Sequence, residues 1–370
     1  MFSDVVLDHP HIGRSVDELP TPVALVDLAV LDANIATMAA FFRQRPASLR
    51  PHAKTHRTPA VARLQLAAGA HGITCAKVSM AEAMVDGGID DVYVANQVVR
   101  KDAIARLCAL ARRARVAVAA DHAANVAMLS DAAAQYRVML DVLVEVDAGM
   151  GRCGTQPGPS TVALAMTIAR APGLRFGGLH VYEGHVVQHE DSTVRKAETE
   201  KMLAIAIETR DQIIASGLPV PAVTCGGTGT YDISGVYPGV TEHQAGSYVY
   251  MDPGYHAKVP AFELAFSVLC TVISRPTPRI AITDGGLQVL ASDSGKPGVK
   301  GHPDLECSYL SEEHGCFSGA GGSTSLACGD IVEVHPGHCC AAANLHDQVY
   351  GVREGAVETI WRVTARGKSQ

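Results

Sequence analysis

The sequence predicts an α/β protein: a (β/α)₈ barrel of the TIM type followed by a β domain. β-Branched runs such as "DVYVAN" and "DVLVEVD" alternate with alanine-rich helical stretches from about residue 21 to about residue 244, which is typical of βα units around a parallel sheet. The number of these units favours a closed barrel over an open doubly wound sheet. After "AGSYVYMDPGYH" the segments are β-rich and lack long helices. We therefore expect residues 1–20 to pack on the β domain, residues 21–250 to form the barrel and residues 251–370 to form the β domain.

The composition is that of a globular protein that acts on small molecules. Hydrophobic residues make up 47% of the chain, and the net charge is −7 without any basic tract, so neither nucleic acid nor an anionic membrane is an expected partner. The N-terminus lacks the basic-then-apolar pattern of a secretory signal, and no apolar run reaches transmembrane length. We expect a cytoplasmic protein in which the ten cysteines are free thiols.

The stretch "SLRPHAKTHRTP" places Lys54 between two histidines and two prolines. Pro51 holds the residue before it extended, so Lys54 lies at or just after the end of a strand, where barrel enzymes carry their chemistry. A partly desolvated lysine at this position supplies the neutral amine that a Schiff base requires. The stretch therefore points to pyridoxal phosphate, the alternative being a surface lysine with accidental neighbours.

Two further motifs are compatible with this cofactor. In "TCGGTGTYD" a glycine-rich segment follows a β-branched run, and backbone N–H groups at such a junction can surround a phosphate, although glycine clusters also form ordinary turns. In "EVDAGMGRCG" a strand is followed by Arg152. This arginine could pair with atoms of the cofactor ring or face solvent at the start of a helix.

A fourth motif, "HPGHCCAAANLHD", suggests a metal site. His338 and Cys340 stand two apart in a predicted β segment, so their side chains would share one face and could ligate one divalent metal. A histidine with a thiolate favours zinc or another borderline metal over magnesium. Two protein ligands leave positions open for water and substrate, as a catalytic site requires. The alternative is a pair of buried β-domain side chains.

Together these motifs, with "EHQAGSYVYMD", resemble the D-threonine aldolase and D-serine dehydratase family, pyridoxal phosphate enzymes with an alanine racemase-like fold. The resemblance runs over nearly the whole chain. It implies that Lys54 binds pyridoxal 5′-phosphate as a Schiff base, and that His338 and Cys340 hold Mn²⁺, Mg²⁺ or Zn²⁺. It also implies a homodimer whose active sites form between the barrel of one subunit and the β domain of the other. The remaining cofactor-binding residues that it implies are Arg152 and Tyr182 at the ring and Gly226, Gly227, Thr228, Gly229 and Tyr248 at the phosphate.

The motifs point to two branches of this family. A cysteine at position 340 is typical of the dehydratases, whereas "CGGTGTY" and "NLHD" resemble the aldolases. We expect an aldolase that cleaves D-β-hydroxy-α-amino acids such as D-threonine to glycine and an aldehyde. The alternative is a D-serine or D-3-hydroxyaspartate dehydratase that forms a keto acid and ammonia.

The base that acts on the substrate is left open by the sequence. The segment "VYEGHVVQHED" replaces a shorter aldolase segment, so His185 or His189 is the expected base, with His56 beside Lys54 a weaker candidate. A racemase would need a second acid/base and no metal. A non-catalytic pyridoxal phosphate carrier would resemble the barrel alone, so we do not favour either activity.

Overall fold

The computed structural model describes residues 4–370 and divides them into two compact units. The barrel unit comprises Met38–Lys54, Val61–Gly246 and Lys368–Gln370. The sheet unit comprises residues 4–37, Thr55–Ala60 and Ser247–Gly367. The helices Leu28–Arg43 and Pro59–Ala67 run across the boundaries between these segments. Among the described residues, no helix combines the length and hydrophobicity needed to cross a membrane.

The barrel unit contains eight strands, and every paired neighbour is parallel. The first and second strands close the ring through a parallel bridge between His52 and Thr74, beside which Ala53 N–H donates to the Thr74 carbonyl over 2.8 Å. The predicted (β/α)₈ barrel is therefore confirmed. In order, the strands are Ser48–Leu49, Ile73–Cys75, Asp91–Gln97, Arg115–Ala120, Leu140–Val146, Leu174–Val181, Val223–Cys225 and Glu242–His243.

The barrel strands are mostly buried. Leu140–Val146 is buried at every position, as expected for a parallel strand between side chains of the barrel interior and a layer of helices. Tyr93, Ala119 and Leu143 form one hydrophobic cluster. The helices wholly within this unit are Val78–Asp86, Lys101–Leu110, Ala123–Tyr136, Pro159–Arg170, Ser192–Ala215 and the short Tyr231–Ser234, preceded by the 3₁₀ turn Thr228–Thr230.

The sheet unit is built on one ten-stranded sheet. Leu25, Leu269 and Ile360 belong to its core cluster. Its helices are Pro253–His256 and Cys339–Ala343, with 3₁₀ turns at Val16–Glu18 and Ser247–Val249. Its strands are Val5–Val6, Val23–Asp27, Phe266–Thr277, Ile280–Thr283, Gly298–Val299, Leu305–Leu310, Gly315–Gly319, Ile331–His335, Gln348–Arg353 and Ala356–Arg362.

The strand Val23–Asp27 does not belong to the barrel, into which the sequence pattern had placed it. It pairs antiparallel with Phe266–Thr277 and parallel with Gln348–Arg353. A β-branched strand followed by an apolar helix has the same local pattern in either sheet, because periodicity reports burial and not the identity of the neighbouring strand. The strand therefore joins the sheet unit through partners that are distant in sequence.

Candidate active site

Lys54 lies at the C-terminal end of the first barrel strand. Its backbone N–H donates to His52 Nδ1 over 3.3 Å, and its half-buried side chain places Nζ 5.9 Å from the centroid of the Tyr182 ring. Arg152 Cζ is 5.5 Å from the same centroid. Both distances fall within the range of cation–π attraction. The structure thus brings together three residues that lie far apart in sequence, each at the C-terminal side of a barrel strand.

Arg152 is held by a carboxylate and by the loop that precedes it. Its Nη2 lies 3.4 Å from Oε1 of the buried Glu145, whose other oxygen accepts from Gln97 Nε2 over 2.5 Å. In the loop, Asp147 Oδ1 accepts the backbone N–H groups of Gly151 and Gly149 over 3.0 Å each. These hydrogen bonds, first that from Gly151, lower the pKa of Asp147. A turn with an ionised carboxylate at its centre therefore positions Arg152, although half of its side chain is exposed.

The predicted phosphate-binding segment is a tight loop in which glycine is required. A Cβ on Gly229 would collide with the Val187 carbonyl oxygen, and one on Gly226, where φ is +95°, would collide with the imidazole of His243. A Cβ on Gly227 would lie 3.7 Å from Tyr182 Cε2. The loop therefore packs beside the ring that also contacts Lys54 and Arg152.

Glu183 supports this loop, and the sequence analysis missed it. Its Oε2 accepts the Gly226 N–H over 3.0 Å, and its Oε1 accepts the Thr230 hydroxyl over 2.7 Å. The Gly226 N–H, predicted to face the phosphate, is therefore engaged within the protein. The signal in the sequence was a glutamate directly after Tyr182, at the end of a buried strand.

The two candidate bases differ in their surroundings, although both are exposed. The ring of His185 lies over the Arg152 loop, since a Cβ on Gly149 would be 3.7 Å from its Nε2. His189 instead contacts the start of the next helix: its Nδ1 lies 3.2 Å from the Asp191 carbonyl oxygen, and its own carbonyl accepts from Arg195. Of the two, His185 is the one whose ring contacts the loop that carries Arg152.

In the sheet unit, His338 and Cys340 are brought together by a helix start and not by a strand. His338 is the N-cap of Cys339–Ala343, with φ −149° and ψ 102°, so the predicted β segment is wrong at this point. The reason is that "HCCAAAN" contains a short helix-forming run directly after the strand Ile331–His335. The capping position turns the His338 ring toward the first helical turn, where it hydrogen-bonds Cys340.

Neighbouring polar groups fix both side chains of this pair. His338 Nδ1 lies 2.8 Å from Asp293 Oδ2, and hydrogen bonding with Cys340 raises the pKa of His338 to about 9. Cys340 Sγ lies 3.2 Å from Thr55 Oγ1 and 3.7 Å from Ser247 Oγ. Among residues 4–370, no group of three or more His, Cys, Asp or Glu side chains is arranged to hold a metal ion.

His56 and Tyr248 belong to the packed interior of the sheet unit. His56 is fully buried, and its Nδ1 accepts the Thr58 N–H over 3.1 Å. Its ring centroid lies 6.3 Å from that of Tyr250. Tyr248 is 1% exposed, with its ring centroid 5.6 Å from that of Phe262. Both side chains are therefore packed in the interior of this unit.

Comparisons with known proteins agree with this architecture. The family model of the alanine racemase N-terminal domain matches residues 26–253, and that described as "Putative serine dehydratase domain" matches residues 265–352. The crystal structure of a D-threonine aldolase from Filomicrobium marinum is similar with a TM-score of 0.95 and 37% identity, covering 97% of this chain and 99% of that one.

Three curated relatives have names that separate into two reactions. A D-threonine aldolase of Arthrobacter sp is 39% identical, over 97% of this chain and 96% of the relative. A 3-hydroxy-D-aspartate aldolase of Paracoccus denitrificans (strain Pd 1222) is 38% identical, over 96% and 94%. A D-threo-3-hydroxyaspartate dehydratase of Delftia sp. (strain HT23) is 28% identical, over 87% and 91%. The resemblance seen in the motifs is confirmed: the chain belongs to the D-threonine aldolase and D-serine dehydratase family, lyases with an alanine racemase-like fold.

Proposed function

We propose that this chain is a pyridoxal phosphate- and divalent metal-dependent aldolase that cleaves D-β-hydroxy-α-amino acids, such as D-threonine, to glycine and an aldehyde. The observation that carries the proposal is the group at the end of the barrel, where Lys54 Nζ and Arg152 Cζ lie 5.9 and 5.5 Å from the centroid of one ring, that of Tyr182. The Arthrobacter and Paracoccus relatives are both named aldolases, which supports carbon–carbon cleavage.

Membership of the family implies pyridoxal phosphate, and the residues present fit it. Lys54 offers an amine at the end of a barrel strand, and the glycine-rich loop packs beside the Tyr182 ring that Lys54 also approaches. Lys54 would hold the cofactor covalently through Nζ, with Arg152 near its ring and the loop near its phosphate. When bound, pyridoxal phosphate supplies the electron sink for cleavage of a bond at the substrate Cα.

The pair of His338 and Cys340 fits a divalent metal. An imidazole and a thiol are ligands of zinc and of other borderline metals, and Asp293 beside His338 Nδ1 is an orienting carboxylate of the kind that metal-binding histidines use. A metal held there would supply Lewis acidity to a substrate hydroxyl. Chelation followed by re-addition of Mn²⁺ or Zn²⁺ tests this part: activity should be lost and then recovered, and full turnover after chelation would contradict it.

Side chains of this protein would accept and hold the protons that move in the reaction. For aldol cleavage, His185 would accept the proton of the β-hydroxyl at a ring nitrogen, with His189 as the alternative base. Asp147 lies in the loop below His185 and is held ionised by the hydrogen bonds from Gly151 and Gly149, so it would stabilise the protonated imidazole by charge.

The second candidate function is dehydration, favoured by one observation. Cys340 is the residue typical of the dehydratases, and the Delftia relative is named a D-threo-3-hydroxyaspartate dehydratase. In that reaction Lys54 Nζ would take the Cα proton and the hydroxyl would leave. The same set of residues could serve either outcome, because the choice depends on which substrate bond is held perpendicular to the cofactor ring.

Product analysis separates the two reactions. The loaded enzyme would be given D-threonine and D-3-hydroxyaspartate in turn, with L-threonine as the stereochemical control. We expect glycine with acetaldehyde from the first and glycine with glyoxylate from the second. Formation of 2-oxobutanoate or oxaloacetate together with ammonia would establish the dehydratase. A lysine-bound absorbance band without turnover of either substrate would favour a non-catalytic carrier.

The assembly and location are part of the same proposal. We propose a cytoplasmic homodimer, on the strength of the family resemblance. Light scattering of the purified protein tests the assembly. A monomeric mass in an active preparation would contradict it.

A further inference from the structure

We propose that Glu183 is a positioning residue that clamps the glycine-rich loop, so that the part of the loop from Thr228 onward, and not Gly226, receives the cofactor phosphate. This inference rests on the proposed function, because it assumes pyridoxal phosphate as the ligand. It concerns a residue for which the sequence motifs gave no role. We call residues 225–230 the phosphate loop.

Glu183 lies at a strand end, beside the phosphate loop. It follows Tyr182 directly at the end of the strand Leu174–Val181 and is 0% exposed. Because successive side chains of an extended segment point to opposite sides, Tyr182 can face the cofactor ring while Glu183 turns under the phosphate loop. The end of this strand thus places one residue beside the cofactor ring and the next residue beneath the phosphate loop.

Two hydrogen bonds join Glu183 to the phosphate loop. Glu183 binds the start of the loop through the Gly226 N–H and its end through the Thr230 hydroxyl, over 3.0 and 2.7 Å. Thr230 Oγ1 in turn accepts the Gly227 N–H over 3.3 Å. The amides of Gly226 and Gly227 are therefore occupied with shaping the loop. This assigns the anion to the segment that begins at Thr228, where the 3₁₀ turn and then a helix start.

His243 also supports the phosphate loop, through Ser234. His243 Nδ1 accepts the Ala245 N–H over 3.2 Å, so the ring proton is on Nε2, which donates to Ser234 Oγ over 3.0 Å. Ser234 Oγ donates to the Thr230 carbonyl over 2.8 Å. Burial lowers the pKa of His243 to about 3, so this ring stays neutral. Glu183 and His243 therefore hold the loop from two sides through uninterrupted hydrogen bonds.

A carboxylate near a phosphate site would ordinarily oppose anion binding, since like charges repel. Burial raises the pKa of Glu183, against the opposing effect of its hydrogen bonds with Thr230 and the backbone. Burial therefore favours the neutral form of this side chain over the charged form. A neutral amide of the same shape should serve as well, because its oxygen can accept the Gly226 N–H while its NH₂ donates to Thr230 Oγ1.

The test compares two ligands that differ only in the phosphate. Dissociation constants of pyridoxal phosphate and of pyridoxal, which lacks the phosphate but still reacts with Lys54, would be measured by absorbance on the apoprotein. For E183L we expect pyridoxal phosphate to bind roughly 10- to 100-fold more weakly, from the loss of the hydrogen bonds to Gly226 and Thr230 that hold the loop. Binding of pyridoxal should change less than about twofold.

Two variants and one control sharpen the comparison. E183Q should restore pyridoxal phosphate binding to within about threefold of the wild type. T230V removes the hydroxyl that Glu183 Oε1 accepts, keeps the side-chain volume, and should weaken pyridoxal phosphate binding about 3- to 10-fold; it also serves if E183L does not fold. D141N, which alters a buried carboxylate near the start of the strand Leu140–Val146, should leave the ratio of the two affinities unchanged. Inorganic phosphate should compete with pyridoxal phosphate less well on E183L than on the wild type.

The outcomes separate this inference from the proposed function. If the wild type forms no absorbing adduct with either ligand, the proposed function fails and the inference falls with it. If the wild type binds both, and E183L and T230V bind both as well as it does, the inference alone is wrong. Equal losses for the two ligands in E183L would also overturn it, because a clamp on the phosphate loop must act through the phosphate.

Discussion

The two ends of the barrel use charge in opposite ways. At the N-terminal ends of the strands Asp91–Gln97 and Glu242–His243, charged side chains pair with one another: the Arg50 guanidinium lies 2.6 Å from Asp91 and 2.7 Å from Glu242. At the C-terminal ends, Lys54 and Arg152 approach the Tyr182 ring beside a loop of backbone amides. Charge at the first end is neutralised within the protein, whereas charge at the second can act on a ligand. This division matches the separation of stability from chemistry in such barrels.

The ion pairs at the N-terminal end shift the pKa values of their members toward the charged forms. Burial alone would lower the pKa of Arg50, but the carboxylates of Glu242 and Asp91 raise it. Burial would raise the pKa of Asp141, but hydrogen bonds from Arg175 and Arg115 lower it. These groups therefore stay charged at neutral pH, and we expect substitutions there to affect folding and not chemistry.

The largest expected effect is at the C-terminal end. K54A should lower turnover by more than about 10³-fold, as removal of a covalently acting group does, and should abolish the absorbance of lysine-bound cofactor. Its thermal midpoint without cofactor should match that of the wild type, because the Lys54 side chain is only half-buried. An unchanged absorbance band in K54A would show that another lysine holds the cofactor.

The next effect distinguishes the two histidines. H185N should lower kcat by roughly 10²- to 10⁴-fold, the usual contribution of a general base, whereas H189N should lower it less than about tenfold. Steady-state kinetics across pH provides the measurement, since loss of the base should also remove the acidic limb of the kcat profile. The reverse order would move the role to His189.

A smaller change in rate, but a clear loss of stability, is expected at the opposite end. R50M leaves the buried carboxylates of Asp91 and Glu242 without their cation and should cost about 3–5 kcal/mol in the free energy of unfolding. Urea denaturation measures this, and kcat at a temperature where the variant is folded should stay within about twofold. Recovery of part of the loss in R50M/E242Q would show that the unpaired carboxylate is the cause. A tenfold fall in kcat with full stability would contradict the division between the two ends.

The smallest effect concerns Asp141 and depends on pH. Its pKa is lower when folded than when unfolded, so its contribution to stability is present above the unfolded value and is lost as pH falls through the folded value. D141N should therefore cost about 1 kcal/mol at neutral pH, a modest figure because Arg115 and Arg175 are more than half exposed. Denaturation from pH 7 downward should show the difference between variant and wild type shrinking. A constant difference would mean that lost packing, not charge, is responsible.

The local sequence pattern was sufficient to predict much of this molecule. The alternation of β-branched and alanine-rich runs predicted the barrel, because parallel strands buried on both faces need continuous apolar sequence. Prolines and glycines around Lys54 and before Arg152 marked strand ends and turns, because these residues restrict or extend backbone angles. The sequence by itself therefore determined the fold class, the family and the segments that carry chemistry.

Other features depended on contacts between distant segments. The strand Val23–Asp27 joined the antiparallel sheet through Phe266–Thr277, which its own pattern cannot report. The pairing of His338 with Cys340 came from a helix start, since a short run of alanines overrides strand alternation. Glu183 gained its role only when folding placed Gly226 and Thr230 against its oxygens. Tertiary structure decided these points because a hydrogen-bond partner is chosen by position in space, and separation along the chain does not encode it.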